Sequence, residues 1–489
     1  MSNDHGGGIY GGGPAAAFET HTAVVMLLGD RAYKVKKPVN LGFLDFTRRE
    51  AREAVCHREV ELNRRLAPDA YLGVWDVLDP SGEPCDHMVV MRRMPPDRRL
   101  AELVRRGVPV TDEARHLARL VATVHSTAQR GPEISAEGTR DAIRRRWTDS
   151  FRQVAPFRGG VLDDALAGEI ERRTLDFLAG REALFAERVA DGRIVDGHGD
   201  LLAEDVFCLP EGVQVLDCIE FDDRLRYVDG LDDMAFLAMD LEYLGQPRLG
   251  AQLLDWYAEF AADPAPMRLR HHFVAYRAFV RAKVACMRHA QGDDSASAEV
   301  ARHAELTAEH LRAGTVSLIL VGGAPATGKS TLAGALADRL GATLVSSDHV
   351  RKELAGIPAH TSAAAGFGEG LYSTAWTERT YGELLRRAEL LLARGETVIL
   401  DASWTTAAAR AEAAALAAGT HSALVPLRCT ADPDTVAARI RARVGSASDA
   451  DEQIAVRLAA EAEPWPEALV IRTDRPLEEC LADAVRGVV

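Results

Sequence analysis

Eight consecutive residues, Gly323-Ala324-Pro325-Ala326-Thr327-Gly328-Lys329-Ser330, read GxxxxGKS. Backbone N–H groups freed by the glycines can close around phosphate oxygens, the N-terminus of a following helix favours negative charge, and Lys329 can reach the outer phosphates. Ser330 is placed to hold Mg²⁺, and Thr331 completes the nucleotide-binding stretch. The setting fits the chemistry. An apolar run of buried-strand length, Val316–Val321, precedes the loop, and Lys329–Leu340 follows with Leu332, Leu336 and Leu340 at helical spacing. Strand, loop and helix in this order imply that a nucleotide binds this part of the chain; ATP with Mg²⁺ is the expected cofactor pair, and the residues do not choose ATP over GTP.

Further carboxylates follow at strand ends. Asp348, in Val345-Ser346-Ser347-Asp348, and Asp401, in Val398-Ile399-Leu400-Asp401, lie where ligands sit in open parallel sheets. Asp348 can act on a substrate; Asp401 suits an outer-sphere contact to Mg²⁺ or the substrate site. Arg439, Arg441 and Arg443 cluster on a helical stretch before Gly445–Asp451, a pattern that suits a lid carrying positive charge to a transferring phosphate.

A second group lies earlier. His198-Gly199-Asp200-Leu201-Leu202-Ala203-Glu204-Asp205 precedes Val213-Gln214-Val215-Leu216-Asp217-Cys218-Ile219-Glu220-Phe221-Asp222, so acidic residues bracket an apolar strand. Carboxylates grouped this way suit phosphoryl transfer, in which one accepts a hydroxyl proton and others hold Mg²⁺ against a triphosphate.

The elements that must position these residues divide the chain. After Gly323, short apolar runs at Thr343–Val345, Thr397–Leu400, Leu424–Leu427 and Leu469–Ile471 alternate with helical stretches, which predicts an α/β domain with a parallel sheet. Before it, Val24–Leu28 and Ala32–Lys36 flank Gly29-Asp30-Arg31 as a hairpin, Arg48–Leu66 reads as a long charged helix, and helices dominate beyond Pro109. The small, acidic stretch Gln291–Ser297 and Gly314 mark the junction region. The expected organisation is a glycine-rich tail over 1–14, a first domain over 15–313 (small lobe about 15–95, large lobe about 96–290, linker helix 299–313) and a P-loop domain over 314–489.

With 489 residues, 47% of them hydrophobic and 27% charged, there is core material for two or three domains. No apolar stretch is long enough to cross a membrane, no secretory leader is visible, and seven scattered cysteines without a CxxC pair suggest neither zinc nor a disulfide framework. These features point to the cytoplasm. A net charge of −15 disfavours an extended nucleic-acid groove and suits a cationic small-molecule acceptor. Nothing in the sequence fixes an oligomeric state.

The segment from His198 resembles the HGDxxxxN catalytic loop of aminoglycoside phosphotransferases and related kinase-like enzymes, and other segments fall in that family's order along residues 20–290. Arg58–Leu66 resembles the helix whose glutamate, here Glu59, pairs with the ATP-binding lysine. Met88–Met94 is similar to the connector between the two lobes, and Leu117–His125 to the helix opening the larger lobe. The resemblance implies an α+β protein-kinase-like fold, Asp200 as catalytic base, and Asp205 and Glu220 as metal ligands. Asp205 stands where the family has asparagine and Glu220 where it has aspartate, and Asp217 competes for the second ligand position. Lys34 and Lys36 share one face of their strand, so period two alone does not choose the phosphate-binding lysine, and Lys34 is preferred.

Residues 315–489 resemble small P-loop kinases such as gluconate kinase, chloramphenicol phosphotransferase, zeta toxin and the kinase module of phage polynucleotide kinase. That similarity implies that Asp348 activates the accepting hydroxyl, with Arg351 beside it, and that the insert Gly356–Tyr381 selects the substrate. The two-part order resembles a bacterial family described as bifunctional aminoglycoside phosphotransferase-like and ATP-binding proteins. The expected activity is phosphorylation of a hydroxyl on a sugar, aminosugar or antibiotic. The alternatives are a nucleotide-binding regulator whose first domain is catalytically weak, and a nucleic-acid 5′-hydroxyl kinase.

Overall fold

An apolar run before Gly29-Asp30 and an alternating one after it fold into the expected hairpin of β2 (Ala23–Leu28) and β3 (Arg31–Lys36). This is a computed structural model, and the residues it describes are 15–20, 22–40, 45–358, 370–442, 457–458 and 460–488. The 1–14 tail, Arg443, the Gly445–Asp451 lid and residues 359–369 of the insert lie outside the described residues. With β1 (Ala16–Glu19), β4 (Tyr71–Leu78) and β5 (Pro84–Arg92), the hairpin builds an antiparallel sheet in the order β1-β2-β3-β5-β4. The charged helix Arg49–Asn63 covers one face, packing Cys56 and Val60 with Ala32, Tyr71, Val89 and Met91. Most of the segment expected to connect the lobes is therefore strand: Met88–Arg92 pairs with β3 and β4, and only Arg93 onward leaves the sheet.

Two small antiparallel pairs carry the acidic segments. They are β6 (Ile194–Asp196) with β9 (Tyr227–Asp229), and β7 (Val206–Leu209) with β8 (Gly212–Val215). The helix Gly230–Tyr243 follows β9 and is buried from Gly230 to Met239, although its first turn contains Asp232 and Asp233. Buried carboxylates so placed must be paired, and their partners belong to the site described below.

The last third of the chain forms a parallel sheet, as its strand and helix alternation predicts. Among the described residues its strands are β10 (Ser317–Gly322), β11 (Thr343–Ser346), β12 (Val398–Asp401), β13 (Ala423–Thr430) and β14 (Leu469–Arg472), in the order β11-β12-β10-β13-β14. The strand entering the phosphate loop is thus central. Ile319, Val321, Ile399, Leu427 and Ile471 pack against Leu332 and Leu336 of the helix Lys329–Leu340. Truncating either leucine to alanine would cost about 2–5 kcal/mol.

The residues sort into two compact units. The first contains residues up to Arg146, Arg188–Ala265 and Phe273–Thr307, and the second contains Trp147–Glu187, Pro266–His272 and the chain from Ala308 onward. Within the second unit, Arg181 is fully buried and donates to the Thr420 carbonyl at 2.7 Å and to Ser422 Oγ at 3.2 Å, at the C-terminal end of the helix Ala407–Gly419. The carbonyls at that end carry the negative pole of the helix, which suits a guanidinium. Glu169 likewise joins Arg173 and Arg312 in this unit, at 2.6 and 2.7 Å. Among the described residues no helix is long and apolar enough to cross a membrane.

Candidate functional site

In the first unit the segment His198–Asp200 is held by its backbone. Asp233 accepts the N–H of His198 at 2.7 Å on Oδ2 and that of Gly199 at 2.8 Å on Oδ1, and His125 Nε2 lies 3.2 Å from the same carboxylate. These bonds hold the Asp233 carboxyl below the usual carboxylate range against the opposing effect of burial. From the other side Arg277 donates to the Gly199 carbonyl at 3.0 Å while pairing with Asp232 at 2.7 Å. Gly199 has φ +88, and a Cβ there would meet the Leu225 carbonyl oxygen at 2.8 Å, so the turn that aims Asp200 requires glycine. Arg226, also fully buried, bonds Asp196 at 2.7 Å and the Ile219 carbonyl at 2.7 Å, tying the loop to the strand-end segment opposite.

Both candidate lysines meet one glutamate. Glu59 is completely buried; its Oε1 lies 2.9 Å from Lys34 Nζ and its Oε2 2.7 Å from Lys36 Nζ. Lys34 also contacts Asp217 at 2.8 Å, and Lys36 contacts Glu220. The two lysines differ in access, because Lys36 is 1% exposed and closed in by two carboxylates, whereas Asp217 beside Lys34 leaves 58% of its side chain exposed.

The carboxylates crowd one another. Lys34 holds the Asp217 carboxyl down to about 2. Burial pushes Asp205 well above its ordinary value, and the charges of Asp217 and Asp200 push it further; burial also raises Asp200, offset by Arg281, His198 and Arg277. Such a surplus of negative charge fits a divalent cation. Among the described residues no three His, Cys, Asp or Glu side chains form a metal cage by themselves. Mg²⁺ bound beside a triphosphate takes one or two carboxylates from the protein and phosphate oxygens for the rest, and Asp205 and Asp217 could supply those carboxylates. Glu220, seated against Lys36, is the less open of the two alternatives for the second ligand.

In the second unit the loop from Gly323 to Ser330 turns through Ala326 (φ 63) and Gly328 (φ 82) into the helix beginning at Lys329. Ala326, Asp217 and Trp404 are three of the five non-glycine residues with positive φ among the described residues, so backbone strain gathers at the two candidate sites. Thr473 Oγ1 donates to the Thr327 carbonyl at 2.6 Å, and Arg439 donates to the Ala326 carbonyl at 3.3 Å and the Thr473 carbonyl at 2.6 Å. Arg439 thus braces the loop itself. A cavity of about 430 Å³ lies against Lys329, Ser330, Thr331, Arg439, Thr473 and Arg475.

Asp401 ends β12 in register with Val321 of β10 and Ser346 of β11, which puts its carboxylate beside the loop. It is 4% exposed, and its Oδ1 is buried with no hydrogen-bond partner. Burial raises its pKa, opposed by Lys329 and by the Ser330 hydroxyl bonded to it. An orphaned carboxylate oxygen next to Ser330 is what a bound cation would satisfy. Asp348, in the first turn of the helix Ser347–Leu354, pairs with Arg351 at 3.0 Å, and the Arg351 guanidinium stacks 4.8 Å from the Tyr372 ring centroid.

Several residues escaped the sequence reading. Asp233, Arg277 and Arg226 position the first site from a distance in the chain; the only signal was an acidic pair opening an otherwise apolar helix. Thr473 and Arg475 follow the end of β14, a strand-end location that could have drawn attention to them.

A family model described as an AAA domain matches residues 318–464. Over 466 residues the chain is 46% identical to the uncharacterized protein Rv2004c of Mycobacterium tuberculosis, covering 95% of this chain and 94% of that protein. Among solved structures, the GDP and kanamycin complex of APH(2")-IIia aligns with 61% of this chain and 92% of its own at 14% identity and a TM-score of 0.39. A gluconokinase from Sinorhizobium meliloti 1021 aligns with 35% of this chain and 91% of its own at 19% identity and a TM-score of 0.27. The chain belongs to the same family as Rv2004c, and within it residues 318–464, which hold the phosphate loop, match the AAA domain model.

Proposed function

We propose that the protein is an ATP- and Mg²⁺-dependent phosphotransferase with two kinase modules, acting in the cytoplasm on a hydroxyl of a small molecule such as a sugar, aminosugar or antibiotic. The observation that carries this reading is Asp401, whose buried, unpartnered oxygen lies beside Ser330 at the mouth of the phosphate loop.

In the second unit the loop N–H groups and Lys329 bind and orient the triphosphate. Asp348 takes the proton from the accepting hydroxyl as its oxygen bonds to the γ-phosphorus and the bond to the β,γ-bridging oxygen breaks. Arg351 fixes the Asp348 carboxylate for that task. In the first unit Lys34, oriented by Glu59, meets the phosphates, and Asp200, aimed by the bracing of Gly199, accepts the proton. Asp205 with Asp217, and Ser330 with Asp401, would hold Mg²⁺, which when bound neutralises charge on the phosphate oxygens.

Radiolabelled ATP offered with sugars, aminoglycosides and a 5′-hydroxyl oligonucleotide tests the reading. Label should enter a small molecule, Lys329→Ala should remove the share made by the second unit, and Asp200→Asn the share made by the first. Label entering only the oligonucleotide would overturn the small-molecule assignment.

A further inference from the structure

A second cavity of about 370 Å³ opens on the phosphate loop of the second unit, against Gly323, Ala324 and Thr327. Nucleotide-binding groups line the cavity at Lys329 and Ser330 instead. The walls here are mainly apolar, with Trp404, Trp465, Val436, Ile440 and Leu458; Arg428 from β13 and Arg410 are the cations, and the Glu463 carboxylate on the wall is bonded to the Ala407 N–H.

The aromatic wall is built into the sheet. A Cβ on Gly322, the last residue of β10, would meet the Trp465 ring at 2.5 Å and Trp404 Cβ at 3.3 Å, so the indole ring rests on backbone one residue before the phosphate loop. Arg410 donates to the Trp404 carbonyl at 2.9 Å and the Pro464 carbonyl at 2.8 Å, and its guanidinium lies 5.3 Å from the Trp465 ring centroid. Trp404 is further fixed by its N–H to Tyr381 Oη at 3.1 Å, and that same hydroxyl lies 3.1 Å from Ser403 Oγ on the cavity wall. Arg428 differs: it is half-buried, and its guanidinium makes no hydrogen bond or ion pair among the described residues. An apolar slot with one cation unpaired among the described residues is a recognition device for a ring bearing a negative group.

We infer that this cavity is a ligand pocket on the phosphate loop of the P-loop unit and takes a hydroxylated molecule with a flat apolar body and an anionic substituent, the ring lying along Trp465 and the anion on Arg428. The assignment rests on the phosphotransferase reading of this unit, in which the hydroxyl must reach beyond the cavity wall to Asp348, which does not line it. A polyhydroxylated chain would leave its hydroxyls unpaired against Val436, Ile440 and Leu458.

The test uses the full-length protein without nucleotide and two probes: 4-(hydroxymethyl)benzoate, with ring, hydroxyl and carboxylate, and D-gluconate, with hydroxyls and carboxylate but no ring. Calorimetry or ligand-observed NMR should show saturable binding of the aromatic probe and weaker binding of gluconate. Arg428→Met and Ile440→Glu should each weaken the aromatic probe at least tenfold while MgATP affinity stays within about twofold, which also reports that the loop is folded. Undiminished binding of the aromatic probe in both variants, or gluconate binding more tightly than the aromatic probe in wild type, would overturn the assignment. A tenfold loss of MgATP affinity in Arg428→Met would overturn it too, by placing the nucleotide in this cavity. Because the probes are read without nucleotide, failure of the kinase reading is separate: it shows as wild-type protein that binds no MgATP through Lys329.

Discussion

Gly199 gives its backbone N–H to Asp233 across a 34-residue sequence gap, at 2.8 Å and out of contact with solvent. Asp233→Ala would leave the N–H groups of His198 and Gly199 unsatisfied in the interior. The first unit should then lose about 3 kcal/mol of stability and its phosphoryl transfer should fall by about 10² or more, with nucleotide affinity changed much less. Urea denaturation and a transfer assay in the Lys329→Ala background measure both. A normal rate would show that the turn does not depend on this carboxylate.

The two lysines on Glu59 should fail in different ways. Lys36→Met leaves Glu220 without its lysine and Glu59 with Lys34 alone, in a site that is nearly dry, and should destabilise the unit by about 3–5 kcal/mol. Lys34→Met leaves Lys36 to compensate Glu59, so its main effect should be on nucleotide binding, read by calorimetry. The opposite ranking, a folded Lys36→Met protein with weakened nucleotide binding, would make Lys36 the phosphate contact.

At the phosphate loop, Lys329→Ala removes charge that stabilises bound triphosphate in ground and transition states, so affinity and turnover should both drop. Asp348→Asn should keep MgATP affinity and lose acceptor phosphorylation by about two orders of magnitude or more. Normal turnover in Asp348→Asn would pass the proton to another group, Asp401 being the nearest by position.

Acid should loosen the second unit through Glu169. Hydrogen bonding from Arg312, then Arg173, holds its carboxyl down to about 2 from an ordinary 4.5. A depressed carboxyl contributes stability above its unfolded value and loses it as pH falls through the folded one, so the contribution fades between about pH 4.5 and about pH 2. The effect should be small, because Arg312 is 40% exposed and solvent screens the pair. Wild type should exceed Glu169→Gln in denaturant midpoint near pH 6, and the gap should narrow on descent toward pH 3. A constant gap would mean that the ion pair contributes nothing.

Local chemistry was legible in the sequence wherever neighbours in the chain are neighbours in space. The phosphate loop, its strand and helix, and the Val24–Lys36 hairpin need only short-range pattern, and they form as read. Strand ends carrying Asp348 and Asp401 follow from strand and helix alternation, which fixes the C-terminal edge of a parallel sheet. Long-range pairing was opaque. Nothing local marks Asp233 as the brace of Gly199, and period two could not separate Lys34 from Lys36, because the difference lies in which carboxylate arrives from Asp217 or Glu220. That Trp147–Glu187 joins the second unit left no trace in composition, since a helix face does not declare which surface will cover it.

Arg181 finds the Thr420 carbonyl 239 positions further along the chain. During synthesis at about 5–20 residues per second, that partner emerges about 10–50 s later. Phe177 on the preceding helix finds its partners sooner, in Phe185 and in His272, on which it stacks at 4.4 Å. For that interval the growing polypeptide carries a guanidinium whose buried place does not yet exist, so closure of the second unit waits on translation between codons 190 and 420, however stable the completed protein is.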